Sequence, residues 1–241
     1  MHTSPPEPPT TGSTSEELEL QKAAITCLGT ELRALVEATV RTDATPDTLR
    51  RVADGVRHLA GELTGRRRAR AEIPEVDEFP AGPRMYSPVV GAGSPLAPPV
   101  VITPTGDGLL GRCTLGIAHE GPPGYGHGGM SAMLLDELMG RACANAGNPG
   151  LTVSLEVRYH RPVPLETPLR IQARVTGRDH RKIQVTGSIT TESDPAVPLA
   201  TGEGLFVTPD PEQARVLFPG VRESVNPARR FTSPSSTDSA R

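Results

Sequence analysis

No apolar run in this 241-residue chain is long enough to cross a bilayer, a task that takes about 20 consecutive apolar residues in a helix. Membrane insertion is therefore not expected. The first residues, MHTSPPEPPTTGSTSEELEL, lack the charged-then-apolar layout of an export signal. Cysteine is scarce: Cys27, Cys113 and Cys143 are odd in number and far apart, with neither the density of a disulfide framework nor the spacing of a zinc site. A reducing, cytoplasmic compartment is the expectation, without metal or cofactor. The net charge of −3 offers no basic surplus for nucleic acid. Aromatic residues reach only 3%. Met130, Met133 and Met139 could line a flexible apolar pocket, although methionines at helical spacing more often serve as plain core.

What is present falls into segments. Residues 1–14 are Pro, Thr and Ser with almost nothing to bury, which predicts a disordered tail. Residues 15–70 read as a helical extension. Leu18, Ile25, Leu28, Leu32, Leu35, Val36 and Val40 recur at helical intervals after a cap at Ser13 or Ser15. A second helix follows Thr45-Pro46-Asp47 and uses Leu49, Val52, Val56, Leu59, Ala60 and Leu63. Together they form a helical hairpin, placed either outside the main domain or between subunits. The run Arg66-Arg67-Arg68-Ala69-Arg70 reads as a solvated linker face, with binding to the phosphates of a ligand or to an anionic surface as the alternative. Residues 71–99 are a Pro/Gly-rich connector, and 209–241 a flexible tail with one helical turn near Glu212 to Leu217.

Strand signals occupy residues 100–208. Val100 to Ile102 and Leu109 to Ala118 flank the turn Gly106-Asp107-Gly108. Further strands are predicted over Leu151 to His160, Leu169 to Thr176, Ile183 to Thr190 and Leu199 to Val207. In the first three of these the odd-numbered positions are mostly apolar, the alternation of an antiparallel sheet with one covered face. The only helix in this half is an apolar one at 128–146. The simplest α+β arrangement curls the sheet around it.

That helix is the centre of the reading. The stretch HEGPPGYGHGGMSAMLLDELMGRACANAG, from His119 to Gly147, places a Pro/Gly turn and then His127-Gly128-Gly129 before the apolar run. The first N–H groups of a helix have no partner inside it, and glycines leave them uncovered, so Gly128 and Gly129 form a candidate oxyanion hole. Asp136 shares a helix face with Gly129, Ala132, Met133, Met139, Gly140 and Cys143, among which a structural role for a carboxylate is hard to find; the plain alternative is a helix-surface Asp that reaches water or a nearby hydroxyl. It lies roughly 13 Å along the axis from His127. That is too far for both ends to act on one carbonyl within one chain. If both act, a second copy must run antiparallel alongside, which points to a two-fold dimer with composite sites.

His127-Gly128-Gly129, the run to Asp136-Glu137, and the strand ending Tyr159-His160-Arg161-Pro162 together resemble the hotdog-fold acyl-CoA thioesterases. The resemblance is to the PaaI-like branch of the 4-hydroxybenzoyl-CoA thioesterase superfamily, over roughly residues 95–208. It implies a hotdog fold, an acyl-CoA substrate, and a homodimer at minimum, with a dimer of dimers as the larger alternative. It also implies that the Gly128 N–H polarises the thioester carbonyl and that Asp136 serves as general base or nucleophile. A hydroxyl residue early in the following strand orients the water or carboxylate in that family, a position that falls on Thr152; the alternative is a β-branched residue that merely suits a strand. His127 either touches the thioester or is a turn histidine bonded to backbone. Family members often carry Asn or Gln six positions before the histidine, where this chain has Gly121, and the neighbouring Glu120 is the candidate substitute. Arg181 and Lys182 could meet the CoA phosphates, or be charged only because a hairpin turn is solvated. A protein that keeps the fold as a non-catalytic acyl or CoA-ester binding module is the competing function.

Overall fold

The computed structural model describes residues 13–65, 67–70, 72–78, 82 and 84–218. Expectations for 1–12 and 219–241, and for single positions within the arginine run and the connector, lie outside the described residues. The sequence builds α1 (Ser15–Arg41), α2 (Pro46–Glu62), β1 (Val101–Pro104), β2 (Leu109–Thr114), α3 (Gly128–Asn145), β3 (Leu151–Tyr159), β4 (Pro168–Asp179), β5 (Lys182–Thr191), β6 (Ala200–Val207) and α4 (Pro211–Leu217). The strands form one six-stranded antiparallel sheet in the order β1-β2-β4-β5-β6-β3.

The sheet closes around α3 because this helix is apolar on most of its circumference. Leu134, Leu135, Leu138, Met139 and Cys143 are fully buried, against Leu169 and Ile171 of β4, Ile183, Val185 and Ile189 of β5, and Phe206 of β6. Glycine lets helix and sheet approach: a Cβ at Gly202 would stand 2.9 Å from the Met139 methyl and one at Gly111 3.0 Å from Leu138. The α+β hotdog arrangement expected from the sequence is the one found.

Three local expectations change. The cap of α1 is Thr14, in a reciprocal capping box with Glu17, and not Ser13 or Ser15. The second strand stops at Thr114, because its partner β4 begins opposite it at Pro168; the chain then enters a short 3-10 turn over Ile117–His119. The odd face of β4 and β5 is buried as expected, but that of β3 is not. Leu155 and Val157 are half-buried on the core, while Leu151, Val153 and Tyr159 are 42%, 61% and 56% exposed. β3 lies at the edge of the sheet, and a bulge between Thr152 and Ser154 shifts its register, so that Thr152 and not Leu151 shares the inner face of Leu155 and Val157.

The connector packs closely on its neighbours. Val89 and Val100 enter the main core, and the segment around Ala92 receives α1. Gly29 is buried there: a Cβ would lie 2.4 Å from the Ala92 carbonyl oxygen. Arg33 donates to the Ala92 and Ser94 carbonyls at 2.7 and 2.9 Å. Arg41 at the helix end pairs with Glu37 and Glu166. By contrast, α2 buries none of its residues; Leu49, Val52, Val56 and Leu59 stay exposed along one stripe.

Two predictions follow from this packing. Alanine favours a helix over glycine by about 1 kcal/mol, but overpacking at such a contact costs about 1–3 kcal/mol, so Gly29→Ala lowers stability in urea titration. A stabilised variant would contradict this seating of α1. Burial pushes the Cys113 thiol up to about 12 and the Cys143 thiol up to about 11, whereas Cys27 is exposed. At pH 8 a disulfide reagent therefore titrates Cys27 quickly in the native protein, and all three thiols only after denaturation.

Candidate active site

The start of α3 is held by the loop before it. Glu120 bridges to Gly126, the Gly126 N–H donates to the Val163 carbonyl at 2.8 Å, and the His127 N–H donates to the His119 carbonyl at 2.8 Å. The Glu120 carboxylate accepts the Gly124 N–H at 2.7 Å. It therefore braces the loop tip; the sequence offered Glu120 as the substitute for the polar residue missing at Gly121. The absence of a side chain at Gly121 also has a reason here. A Cβ would lie 2.7 Å from the His127 Cα, so the polar residue common in this position among similar enzymes has no room.

His127 is the N-cap of α3, with φ −62° and ψ 136°, and its Nδ1 accepts the Gly129 N–H at 2.9 Å. Of the two readings of His127, the backbone-bonded one describes its Nδ1. With Nδ1 accepting, a neutral ring carries its proton on Nε2. Gly129 thus spends its amide inside the chain. The Gly128 N–H has no partner among the described residues, so of the two glycines Gly128 keeps a free donor. Its position at a helix N-terminus favours a developing negative charge.

Asp136 is half-buried on the side of α3 that faces the edge strand β3; Met133, 39% exposed, lies one turn before it. Thr152 donates to Asp136 Oδ1 at 2.8 Å. The residue picked out in the sequence by counting along the strand therefore does meet the carboxylate. One oxygen of Asp136 is engaged and oriented, which leaves Oδ2 for chemistry. Glu137 points elsewhere and pairs with Arg141 at 2.7 Å.

The basic turn behaves differently at its two cations. Arg181 is tied to α4, donating to Asp210 at 2.9 Å and to Gln213 at 3.3 Å. Lys182 is exposed; it lies in register with Val207, which is in register with Leu151. The turn thus stands at the Thr152 end of the sheet, two strands from β3.

The two halves of the site mark opposite ends of the edge strand. Asp136 is bonded to Thr152 near the start of β3, whereas the Gly128 carbonyl accepts the Tyr159 hydroxyl at 3.1 Å at its end. Thr152 and Tyr159 are about 23 Å apart along an extended strand. The geometry assigns no shared substrate to both halves of one chain. Tyr159 stood out in the sequence as a strand residue and as part of the motif that carries the resemblance, but with no role of its own, since the fold, and no local spacing, brings its hydroxyl to Gly128.

Similarity to known proteins covers this same region. The model of the thioesterase superfamily matches residues 123–197. Acyl-coenzyme A thioesterase THEM4 of Mus musculus is 28% identical over 41% of this chain and 42% of its own, and THEM4 of Xenopus laevis is 32% identical over 31% and 34%. The chain thus spans less than half the length of the curated relatives it matches. The crystal structure of the thioesterase superfamily protein RHA08564 is 37% identical and superposes with a TM-score of 0.68, covering 76% of this chain and 94% of that one. With the sheet curled around α3 and the glycine start of that helix on the matched segment, the chain belongs to the thioesterase superfamily.

Proposed function

We propose that this protein hydrolyses acyl-CoA thioesters at sites shared between two copies of the chain, as a cytoplasmic enzyme of the PaaI-like type. One observation carries the reading: a free helix-end amide at Gly128 and an oriented carboxylate at Asp136 lie at opposite ends of the same edge strand. A two-fold axis through the middle of β3, near Leu155, pairs two copies of the strand antiparallel. Thr152 of one then stands beside the Tyr159 end of the other. That operation carries Asp136 toward the partner's helix start. The exposed Tyr159 and Met133, both on the α3 side of the sheet, support such a contact, because each leaves apolar surface in water in a single chain and gains cover in the pair. The names of the THEM4 relatives support the substrate class.

In this site the thioester carbonyl oxygen lies against the Gly128 N–H. The hydroxyl of Thr152 holds Asp136 Oδ1. From Oδ2, the carboxylate takes a proton from a water molecule whose oxygen adds to the carbonyl carbon. The oxyanion gains the helix-end hydrogen bond, the C–S bond then breaks, and the departing CoA sulfur takes the proton back from Asp136, leaving CoA thiol and the free acid as products. Direct attack by Oδ2 would give a mixed anhydride that water then opens. Lys182, at the Asp136 end of the sheet, is the cation best disposed toward the CoA phosphates; Arg181 is already paired with Asp210.

Thiol release from a panel of short, long and aromatic acyl-CoAs tests the proposal. Asp136→Asn lowers kcat by about 10²- to 10⁴-fold, the range of a lost general base, with unchanged thermal unfolding. Gly128→Pro deletes the amide hydrogen at a helix position that tolerates proline, after a residue whose ψ of 136° already suits it. It lowers kcat by about 10²- to 10³-fold. Thr152→Ala costs about tenfold, as expected for a lost orienting hydrogen bond. Tight binding of acyl-CoA without turnover across the panel would replace the hydrolase with the binding-module reading.

A further inference from the structure

We propose that Tyr159 is a positioning residue that fixes the Gly128 amide for the oxyanion, an inference that rests on the hydrolase reading above. Two consecutive glycines are the least restrained way to begin a helix, and helix ends fray. A catalytic N–H built on them needs its neighbours held. The Gly128–Gly129 peptide is held at both ends: its carbonyl accepts the Tyr159 hydroxyl at 3.1 Å, and its N–H donates to His127 Nδ1 at 2.9 Å. On the other side, the His127 N–H donates to His119 at 2.8 Å and the His127 carbonyl accepts the Met130 N–H at 2.9 Å. The peptide groups on both sides of the Gly128 N–H are thus engaged, whereas that N–H has no partner among the described residues.

Tyr159 also has the rigidity the task requires. It is the last residue of β3, paired with Ala200 of β6. The next two amides, of His160 and Arg161, both donate to the Leu199 carbonyl, at 2.9 and 3.1 Å. Its ring lies along Gly128, so close that a Cβ there would sit 3.4 Å from the ring edge. The sheet end is therefore coupled to the helix start through one hydroxyl. Substrate contact is not required of Tyr159, since it acts through the peptide next to the donor.

Tyr159→Phe keeps the ring and removes the hydroxyl. It lowers kcat for the best acyl-CoA by about tenfold with KM within about twofold, the signature of a misplaced group felt in the transition state. In the Gly128→Pro background the same change has no further effect, because the donor it positions is already gone. Amide exchange of Gly129, followed by NMR, becomes faster in Tyr159→Phe than in wild type. A wild-type protein that releases no thiol overturns the hydrolase reading and this role with it. An active wild type matched in kcat by Tyr159→Phe, an additive loss in the Gly128→Pro background, or unchanged Gly129 exchange overturns the role of Tyr159 alone.

Discussion

Burial of Leu134, Leu135, Leu138, Met139 and Cys143 inside the curled sheet decides how α3 is oriented. With that side fixed, the remaining strip, carrying Gly129, Ala132, Met133 and Asp136, is turned toward the edge strand β3. The apolar contact that stabilises the fold therefore also aims the chemistry. The helix cannot rotate to hide Asp136 without exposing several large side chains, each worth about 1.5–3 kcal/mol when buried. A half-buried carboxylate, oriented by Thr152 and left with one oxygen unengaged, is the outcome of this packing.

The same constraint separates donor and carboxylate. A helix start pinned by Tyr159 at one end of β3 and a carboxylate pinned by Thr152 at the other cannot serve one carbonyl within a chain. An antiparallel pairing of edge strands solves this by symmetry, since each end of the strand then meets the opposite end of its twin. In the proposed dimer, the exposed Tyr159 and the bulged start of β3 would form part of that interface.

Much of this was legible in the residues. Alternation in β4 and β5 identified the covered face correctly, because those central strands lie directly under α3. The glycine start and Asp136 stood out through local helix spacing and Thr152 through the family resemblance; the structure adds the bond between Thr152 and Asp136. What escaped was set by distant parts of the chain. The exposure of β3 depends on its place at the end of the strand order, the occupation of Glu120 on a loop closed against Val163, and the engagement of Arg181 on a cap at Asp210. Tyr159 escaped for the same reason. The N-terminal helices were read correctly as helices, yet their placement was not: Gly29 and Arg33 seat α1 on the connector around Ala92, while α2 keeps its apolar stripe exposed.

The account stands on sites shared across two chains, and mixed dimers test that most directly. Asp136→Asn and Gly128→Pro chains, each inactive alone, are co-expressed with different tags and the mixed species is isolated. Its Gly128 and Asp136 contributions combine into one intact site and one doubly broken one, so thiol release returns to about half the wild-type rate per dimer. A mixed dimer as inactive as its parents would contradict the account.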